Sequence, residues 1–340
     1  MGVNLFNQRY FIYNYASVFG GQERYLESLL LSLQSKNIAC EFTGGPERLL
    51  RSLIGQKSQV KNEISVELLN GNKALYLQAW RKQKTDLRIY VQHSSVSDGQ
   101  QSFIKCLIRK VLLRLLLTQV DIVIRVCNKA LPDHYAAGKI HTIYNGVSLP
   151  AIPCVSHEKR PFTLLMVGAV TENKNQLFAL RLLEHIDDIR LIIVGDGPKR
   201  VDWQHWADEH GLASRIEWTG FVEHPESYYT QADALLMLSR FEAFPYVVLE
   251  AMSYCLPVIS VPVGGVPEAI THERDGLLLG SYDINELIHA VERLKNDPEL
   301  SRQLGLEARK TIAERFTLDV MVNSLLNIIN EKAREKGVSI

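Results

Sequence analysis

The strongest constraint on the fold is an alternation of short β-rich runs with helical segments that occurs twice along the chain. In the first half, runs such as "RYFIYNY" and "LRIYVQH" are separated by helical stretches, the first of them amphipathic. After residue 161 the alternation restarts with "FTLLMVGAV" and "IRLIIVGDG". Strands that alternate with helices form parallel sheets with crossover helices, so the sequence predicts two doubly wound α/β domains.

The elements predicted from this alternation fall into two sets. In the first half we predict strands at 9–15, 38–45, 87–93, 121–127 and 139–146, and helices at 22–35, 99–118 and 130–137. In the second half we predict strands at 162–170, 189–197, 215–220, 232–239 and 256–262. The helices of that half are predicted at 175–185, at 199–210, from 245, from 267, and as two or more helices between 284 and 336.

The segment "VSLPAIPCVSHEKRP" at 147–161 separates the two halves. It carries three prolines and no hydrophobic periodicity, which is typical of a linker. The predicted domains are therefore 1–150 and 151–320, with a C-terminal helix at 321–340 that we expect to pack on the first domain. Two such domains would face each other across a cleft at the carboxyl ends of their strands.

Composition narrows the class of protein. The chain has 340 residues, of which 46% are hydrophobic and 22% charged, as in soluble globular proteins. Its five cysteines are scattered and never spaced as CxxC, which argues against a disulfide framework or a zinc site and favours a reducing compartment. The N-terminus lacks the charged-then-apolar design of a signal peptide, and the most apolar run, 111–127, is too short and too charged to span a bilayer. We therefore expect a cytoplasmic protein.

The charge distribution is asymmetric although the net charge is zero. Residues 1–150 carry 19 Lys and Arg against 10 Asp and Glu, whereas the remaining residues carry 19 against 28. A basic half indicates an anionic membrane surface, a phosphorylated lipid or nucleic acid as partner, or else attraction between the two halves. The segments 47–61, 81–84 and 104–114 mix basic and apolar residues and could dock on anionic lipid, on the inner face of the plasma membrane. No basic–aromatic motif indicates nucleic acid, so we expect no such partner.

Glycines stand in four loops between predicted strands and helices: Gly20–Gly21, Gly168, Gly195–Asp196–Gly197 and Gly264–Gly265. Each could be an ordinary turn, but glycines at strand ends also let a backbone approach phosphates next to helix N-termini. No GxGxxG follows a strand and no GxxxxGK[ST] is present, which argues against a dinucleotide fold of the NAD(P) type and against a P-loop ATPase.

Four charged or polar side chains are placed where they could reach a ligand. Lys174 stands at the predicted start of a helix, where it could neutralise a diphosphate or be a solvated lysine. His93 ends an apolar strand and could contact a polar substrate or be a satisfied core histidine. Glu242 and Glu250 could be surface charges, or they could accept hydrogen bonds from paired sugar hydroxyls at the mouth of a cleft.

The segment "EAFPYVVLE" (242–250) resembles the E-x7-E motif of retaining glycosyltransferases with the GT-B fold, most closely family GT4. Other motifs follow in the order and spacing of that family. They are "GGQERY" (20–25), "VQHSS" (91–95), "YNGV" (144–147), "MVGAVTENKN" (166–175), "IIVGDGP" (192–198), "WTGFV" (218–222), "MLSRFEAFPYVVLEAMSYCLPVIS" (237–260) and "GGVPE" (264–268). The resemblance covers nearly the whole chain, is strongest over 160–280, and is specific as an ordered set.

The resemblance implies a role for each matching residue. Glu242 would hold the donor sugar hydroxyls, and Glu250 would hold the ribose of the nucleotide. Lys174 and the amides of Gly20 and Gly21 would bind the diphosphate, and His93 would touch the transferred sugar. The implied catalytic residues are therefore His93, Glu242 and Lys174. The other implied donor-binding positions are Gly168 and Gly195, the backbone at Phe221 and Val222 near the base, and the amides of Ala243 and Phe244.

Three positions depart from the family pattern. The family usually has Arg where Ala169 stands, so the diphosphate would meet one side-chain cation rather than two, unless Arg24 or Arg240 fills the space. It usually has Gly where Ala243 and Cys255 stand. Cys255 would then occupy a backbone conformation that is normally left to glycine.

The activity implied by the resemblance is a retaining transfer of a sugar from a nucleotide diphosphate sugar, such as a UDP- or GDP-sugar, to an acceptor hydroxyl. Domain 1–150 would bind a glycan or lipid-linked acceptor and 151–320 the donor, in polysaccharide or lipopolysaccharide synthesis. No Asp-x-Asp motif is present to hold a metal, and we expect no cofactor. The alternatives are a catalytically degenerate sugar-nucleotide-binding subunit and a GT-B epimerase.

Overall fold

The structure, a computed structural model, describes residues 8–15, 20–43, 64–94, 103–151 and 161–338, without the side chains of 103–106. The chain divides into two compact units, Met1–Gly146 with Leu318–Ile340, and Val147–Thr317. The boundary between the two units after Gly146 falls a few residues before the domain boundary predicted at 150. Most of the predicted linker, 152–160, lies outside the described residues.

The first unit is built on a parallel six-stranded sheet. Its strands are β1 (Gln8–Asn14), β2 (Ala39–Thr43), β3 (Ile64–Asn70), β4 (Leu87–Gln92), β5 (Ile122–Arg125) and β6 (Ile140–Thr142), and its helices so far along the chain are α1 (Gly21–Ser35), α2 (Asn72–Gln78) and α3 (Phe103–Leu117). The strand order is β2-β1-β3-β4-β5-β6. Every residue of β4 is buried, as a strand covered on both faces requires.

Strand β3 and helix α2 were not predicted from the sequence, although β3 lies between β1 and β4 in the sheet. A carboxylate, Glu67, interrupts the apolar pattern of β3. In the folded chain Arg88 of β4 donates from Nε to Glu67 Oε2 at 2.7 Å, and both side chains are buried. A buried carboxylate is tolerated when a cation is bonded to it, and that partner is visible only once the strands are paired.

The prediction of a helix at 130–137 is wrong. The structure has a single 3-10 turn there, Asp133–Tyr135, directly after Pro132. Proline lacks a backbone N–H and disfavours the helical region for the residue before it, so a helix cannot run through this position without loss.

The second unit contains another parallel sheet. Its strands are β7 (Phe162–Val167), β8 (Ile189–Val194), β9 (Ile216–Gly220), β10 (Ala234–Met237), β11 (Val258–Ser260) and β12 (Leu277–Leu278). Its helices are α4 (Gln176–Leu182), α5 (Arg200–Glu209), α6 (Glu226–Gln231), α7 (Tyr246–Ser253), α8 (Val266–Ala269), α9 (Ile284–Asn296) and α10 (Pro298–Arg315). The order β9-β8-β7-β10-β11-β12 is that of a doubly wound dinucleotide-type sheet, and its core lies between the strands and the covering helices.

The last helix, α11 (Leu318–Glu335), belongs to the first unit. It packs against α1, and its apolar face, including Leu325 and Ile329, is fully buried. Asn330 accepts a hydrogen bond from Gln8 at 2.7 Å, which ties the helix to the first strand. None of the helices in the described ranges is long and apolar enough to cross a membrane.

Candidate functional site

Lys174 and Glu242 meet at the point where the strand order of the second sheet reverses. Strands β7 and β10 are neighbours there, and the chain leaves them towards opposite edges. Loops that follow two such strands diverge and leave a crevice at the carboxyl edge, where open α/β sheets bind ligands. Lys174 follows β7 and Glu242 follows β10, and Lys174 Nζ lies 2.5 Å from Glu242 Oε1. The structure thus brings together two residues that are 68 positions apart in the sequence.

Asn173 fastens the two loops to each other. Its Nδ2 donates to the carbonyl of Phe241 at 3.1 Å, and the amide of Phe241 donates to its Oδ1 at 3.0 Å. The amide of Arg240 donates to the carbonyl of Asn173 at 2.8 Å. We did not single out Asn173 from the sequence, and the only signal was its place in the polar run "TENKN". These bonds fix the backbones that carry Lys174 and Glu242.

The ion pair is half-buried, with 24% of the Lys174 side chain and 14% of the Glu242 side chain exposed. The aliphatic part of Lys174 runs over Gly168, because a Cβ on that glycine would lie 3.3 Å from Lys174 Cε. A ligand with a phosphate beside a hydroxyl could bind to both side chains and separate them. The ammonium would meet the phosphate, and the carboxylate would accept from the hydroxyl.

The loop after β8 depends on a glycine. Gly195 has a φ of +144°, and a Cβ there would lie 2.0 Å from the carbonyl oxygen of Gly168. Its amide donates to the carbonyl of Gly220 at 2.8 Å, so the loops after β7, β8 and β9 are stacked backbone on backbone. Phe221 and Val222 follow Gly220 directly, and the ring of Phe221 is 72% exposed.

The loop that carries Glu242 and Ala243 rests on a second glycine loop. Gly264 has a φ of +53°, and a Cβ there would lie 1.7 Å from the carbonyl oxygen of Glu242. The amide of Gly265 donates to the carbonyl of Ala243 at 2.6 Å. Phe244 is buried, with its ring centroid 5.4 Å from that of Phe316. The contacts with the glycine loop and with Phe316 therefore fix the backbone around Glu242.

Glu250 lies in α7 and is also half-buried. The hydroxyl of Tyr229 donates to Glu250 Oε2 at 2.6 Å, and the Tyr229 ring stacks on Tyr254 with centroids 5.5 Å apart. Tyr229 is buried, so its hydroxyl is a fixed donor rather than a solvent-exposed one. We did not predict Tyr229, because nothing in "SYYTQ" distinguishes it from an ordinary core aromatic.

His93 lies in the first unit, at the carboxyl end of β4, next to the corresponding reversal between β1 and β3. Its Nε2 is 2.7 Å from Oδ1 of Asn70, the last residue of β3. The ring of Tyr25 contacts it edge-on, with centroids 4.9 Å apart. Burial lowers the pKa of His93 to about 3, so the imidazole is neutral and its Nε2–H donates to Asn70.

The polar residues around His93 are bonded to one another. Gln22 of α1 donates from Nε2 to Oδ1 of Asn14 at 2.9 Å and to the carbonyl of Asn70 at 2.8 Å. The amide of Gly20 donates to Oε2 of Glu23 at 2.9 Å. For that amide to bind a diphosphate it would have to leave Glu23. The roles implied for Gly20 and Gly21 stay predictions.

We predict that His93 does not titrate near neutral pH. A histidine whose folded pKa lies below its unfolded value stays neutral as the pH falls through 6.5, and the folded state loses stability below that pH. The His93 ring signals in a ¹H–¹⁵N NMR titration should therefore stay unchanged from pH 8 to pH 5. A midpoint near 6.5 for His93 would contradict this environment.

Two of the departures from the family pattern are visible in the backbone. Cys255 has a φ of +59°, the left-handed conformation expected for a position that normally carries glycine. The carbonyl of Ala169 accepts a hydrogen bond from Nε2 of Gln176 at 3.1 Å. Arg24 is paired with Glu27 at 3.6 Å.

Within the described residues, no group of three or more His, Cys, Asp or Glu side chains is arranged to hold a metal ion.

The second unit also matches a known family. Residues 154–311 match the family model of glycosyl transferases group 1. This part of the chain is similar to that family. The match confirms the family predicted from the motifs, and it covers both Lys174 and Glu242. The glycosyl transferases group 1 segment includes all of β7–β12.

Curated relatives share the same region. The lipopolysaccharide core biosynthesis glycosyltransferase LpsD of Rhizobium meliloti is 27% identical over 169 residues, which is 50% of this chain and 49% of LpsD. The alpha-D-kanosaminyltransferase of Streptomyces kanamyceticus is 29% identical over 180 residues, 51% of this chain and 46% of that enzyme. The matched region spans about half the length of these relatives.

A solved structure covers nearly the whole chain. HepE of Anabaena, crystallised in complex with UDP, superposes with a TM-score of 0.75 over 95% of this chain and 100% of HepE, at 17% identity. At that identity the likeness shows the fold. It confirms the GT-B class of two Rossmann-like domains that the motifs predicted.

Proposed function

We propose that the chain is a retaining glycosyltransferase that moves a sugar from a nucleotide diphosphate sugar to an acceptor hydroxyl. The observation that carries the proposal is the Lys174–Glu242 pair at the strand reversal of a glycosyl transferases group 1 sheet. A cation and a carboxylate on two converging loops suit a ligand that presents a diphosphate next to sugar hydroxyls.

Each of the site residues binds a different part of the donor. Lys174 stabilises the charge that grows on the diphosphate as the bond from the anomeric carbon to the phosphate oxygen breaks. Glu242 accepts from the sugar hydroxyls, and Glu250, fixed by Tyr229, accepts from the ribose hydroxyls. The exposed Phe221 and its neighbour Val222 follow Gly220 at the same sheet edge and would flank the base.

The proposed reaction leaves the anomeric configuration unchanged. The acceptor oxygen bonds to the anomeric carbon on the face that the nucleoside diphosphate leaves, and the acceptor proton passes to the departing phosphate oxygen. We propose that neither a cofactor nor a metal ion takes part, with Lys174 supplying the positive charge. Neutral His93 would contact the transferred sugar through Nδ1, the ring nitrogen that does not face Asn70.

A two-stage assay tests the proposal. The protein is first screened for thermal stabilisation by UDP- and GDP-sugars, starting with UDP-glucose because HepE was crystallised with it. Donors that stabilise it are then assayed for release of the nucleoside diphosphate, with and without saccharide or lipid-linked acceptors from polysaccharide and lipopolysaccharide synthesis, the setting of LpsD. Stabilisation without release would favour a degenerate binding subunit, and conversion of the donor to its epimer would favour an epimerase.

We also propose that the first unit docks on an anionic membrane surface, from the cytoplasmic side. One of the three segments expected to do so, 47–61, lies outside the described residues. The other two are described from Leu107 onwards and at 81–84, and they carry an exposed apolar stripe. We call this surface the α3 face; it comprises Leu107, Ile108, Val111 and Leu115 of α3, together with Trp80.

The α3 face has the composition of a surface that enters a lipid interface. Its four α3 residues lie on one side of the helix and are each more than half exposed. Trp80 is 68% exposed, and it lines the same cavity as Leu115 and Lys82. Lys110 and Arg114 are exposed beside the apolar stripe. Exposed apolar area edged by cations is complementary to anionic headgroups over acyl chains.

We predict that the protein sediments with vesicles containing phosphatidylserine at low salt and not with phosphatidylcholine vesicles. Each near-surface cation contributes about 1 kcal/mol, which salt screens, so raising the salt should release the protein. Replacing Ile108 and Val111 together by serine should lower binding by about tenfold. Leu306→Ser removes a comparably exposed apolar side chain from the second unit and should leave binding unchanged. Absence of binding at low salt would leave attraction between the halves as the reason for the charge asymmetry.

A further inference from the structure

A second cavity opens next to the loop that carries Glu242. It has a volume of about 590 Å³ and is lined by Arg181 of α4, by Arg240, and by the aromatic side chains of Phe178, Phe241 and Tyr282. Its lining contains two arginines and no carboxylate. This set is unusual in the part of the chain after residue 150, where 28 Asp and Glu outnumber 19 Lys and Arg.

Among the described residues, no carboxylate lies within ion-pair distance of the Arg181 or the Arg240 guanidinium, so no ion pair there neutralises either charge. Two carboxylates, Glu184 and Asp283, line an adjoining cavity with Arg181. Glu184 Oε1 lies 3.8 Å from Nε2 of His210, and Asp283 Oδ1 accepts from the amide of Asn285 at 2.9 Å. Two guanidinium groups that share a cavity without a carboxylate are available to a bound anion, which a planar guanidinium can hold through two parallel hydrogen bonds.

The aromatic side chains give the cavity a flat apolar wall. The rings of Phe178 and Tyr282 meet edge-on with centroids 6.0 Å apart, and the Tyr282 hydroxyl is anchored to the carbonyl of Ser239 at 2.7 Å. Phe241 is 54% exposed and Tyr282 43% exposed. Fixed aromatic faces next to a few charged groups are suited to a ring that is apolar on its face and anionic at its edge.

The cavity adjoins the candidate donor site through the chain itself. Arg240 and Phe241 immediately precede Glu242, and Asn173, which binds both of their backbones, immediately precedes Lys174. Residues of the cavity lining are therefore neighbours in sequence of Glu242, and Asn173 connects them to the loop that carries Lys174. This position suits the other substrate rather than the donor.

We propose that this cavity binds an acidic sugar residue of the acceptor, with its carboxylate or phosphate on Arg181 and Arg240 and its ring against Phe241 and Tyr282. The assignment to the acceptor rests on the proposed glycosyl transfer. Binding of an acidic saccharide does not, and it can be measured without any donor.

The test is saturation-transfer NMR with three probes: a galacturonate tetrasaccharide, mannose 6-phosphate and neutral maltotetraose. We expect the acidic probes to bind and maltotetraose not to bind, with Kd rising as salt is added. Arg181→Gln and Arg240→Gln should each raise Kd about three- to tenfold, and the double variant more, because each removes one charge-assisted contact. Arg302→Gln, which removes an exposed guanidinium on α10, should leave Kd unchanged.

The outcomes identify which anion binds, and they distinguish the acidic-sugar site from the proposed donor site. Binding of the tetrasaccharide alone assigns a carboxylate, and binding of mannose 6-phosphate alone assigns a phosphate. Equal binding of maltotetraose, or a Kd unaffected in the double variant, would overturn the acidic-sugar site. Thermal stabilisation by nucleotide sugars is measured on the same variants and should persist, so loss of the donor site and loss of this site give different results.

Discussion

Replacement of Lys174 by alanine is expected to lower kcat/KM for the nucleotide sugar by about thirtyfold or more. The substitution removes a charge-assisted contact to the diphosphate worth about 2–3 kcal/mol in a partly buried site. It also leaves Glu242, whose side chain is only 14% exposed, without its cation and close to a dianionic ligand. Lys310→Ala, which removes an exposed lysine from α10, is the matched control and should be nearly silent.

The alanine at position 169 provides a second arm to this experiment. Ala169→Arg restores the cation usual in the family and should tighten donor binding and partly rescue Lys174→Ala. Arg240 does not have to compete with it, because Arg240 lines the neighbouring cavity. If the new arginine brings no gain and Lys174→Ala is nearly harmless, the diphosphate lies elsewhere.

The two carboxylates should behave differently when each is replaced by alanine. Glu242→Ala is expected to lower kcat by about tenfold or more while the affinity for free UDP is kept or increased, since Lys174 is released from its ion pair. Glu250→Ala should weaken free UDP itself by about tenfold or more, because a hydrogen bond to a charged group is worth roughly 1.5–3 kcal/mol.

Calorimetric titration of UDP and of the UDP-sugar into both variants makes the comparison. Glu307→Ala removes a partly exposed carboxylate from α10 and controls for a general change of charge. Equal losses of UDP affinity in the Glu242 and Glu250 variants would contradict the division of the donor between sugar and ribose.

The sequence predicted five of the six described strands in each unit, and it missed β3 and helix α2 in the first unit and β12 and helix α6 in the second. In the second unit the predicted strands are short apolar runs, and their order in the sheet produces the strand reversal at which Lys174 and Glu242 meet. In the first unit β3 was missed, because the charge of Glu67 is compatible with a buried strand only when Arg88 lies beside it. A helix was predicted where Pro132 permits only one 3-10 turn.

Partners of the candidate site residues were beyond sequence reasoning. The sequence indicated which charges could reach a ligand but not what holds them. Tyr229 and Asn70 secure Glu250 and His93 through hydrogen bonds that span 21 and 23 positions, and Asn173 bonds across 68 positions to Phe241, which precedes Glu242. Such partners are ordinary polar or aromatic residues in their own segments, and only the folded sheet brings them next to Glu242, Glu250 and His93.

The central claim is retaining transfer from a nucleotide sugar, and its most direct test is ¹H NMR of the reaction with the donor that the thermal screen selects. The anomeric coupling constant of the transferred sugar should match that of the donor, with one nucleoside diphosphate released for each glycoside formed. A product of inverted configuration, or a donor that binds and is never consumed with any acceptor, would contradict the account.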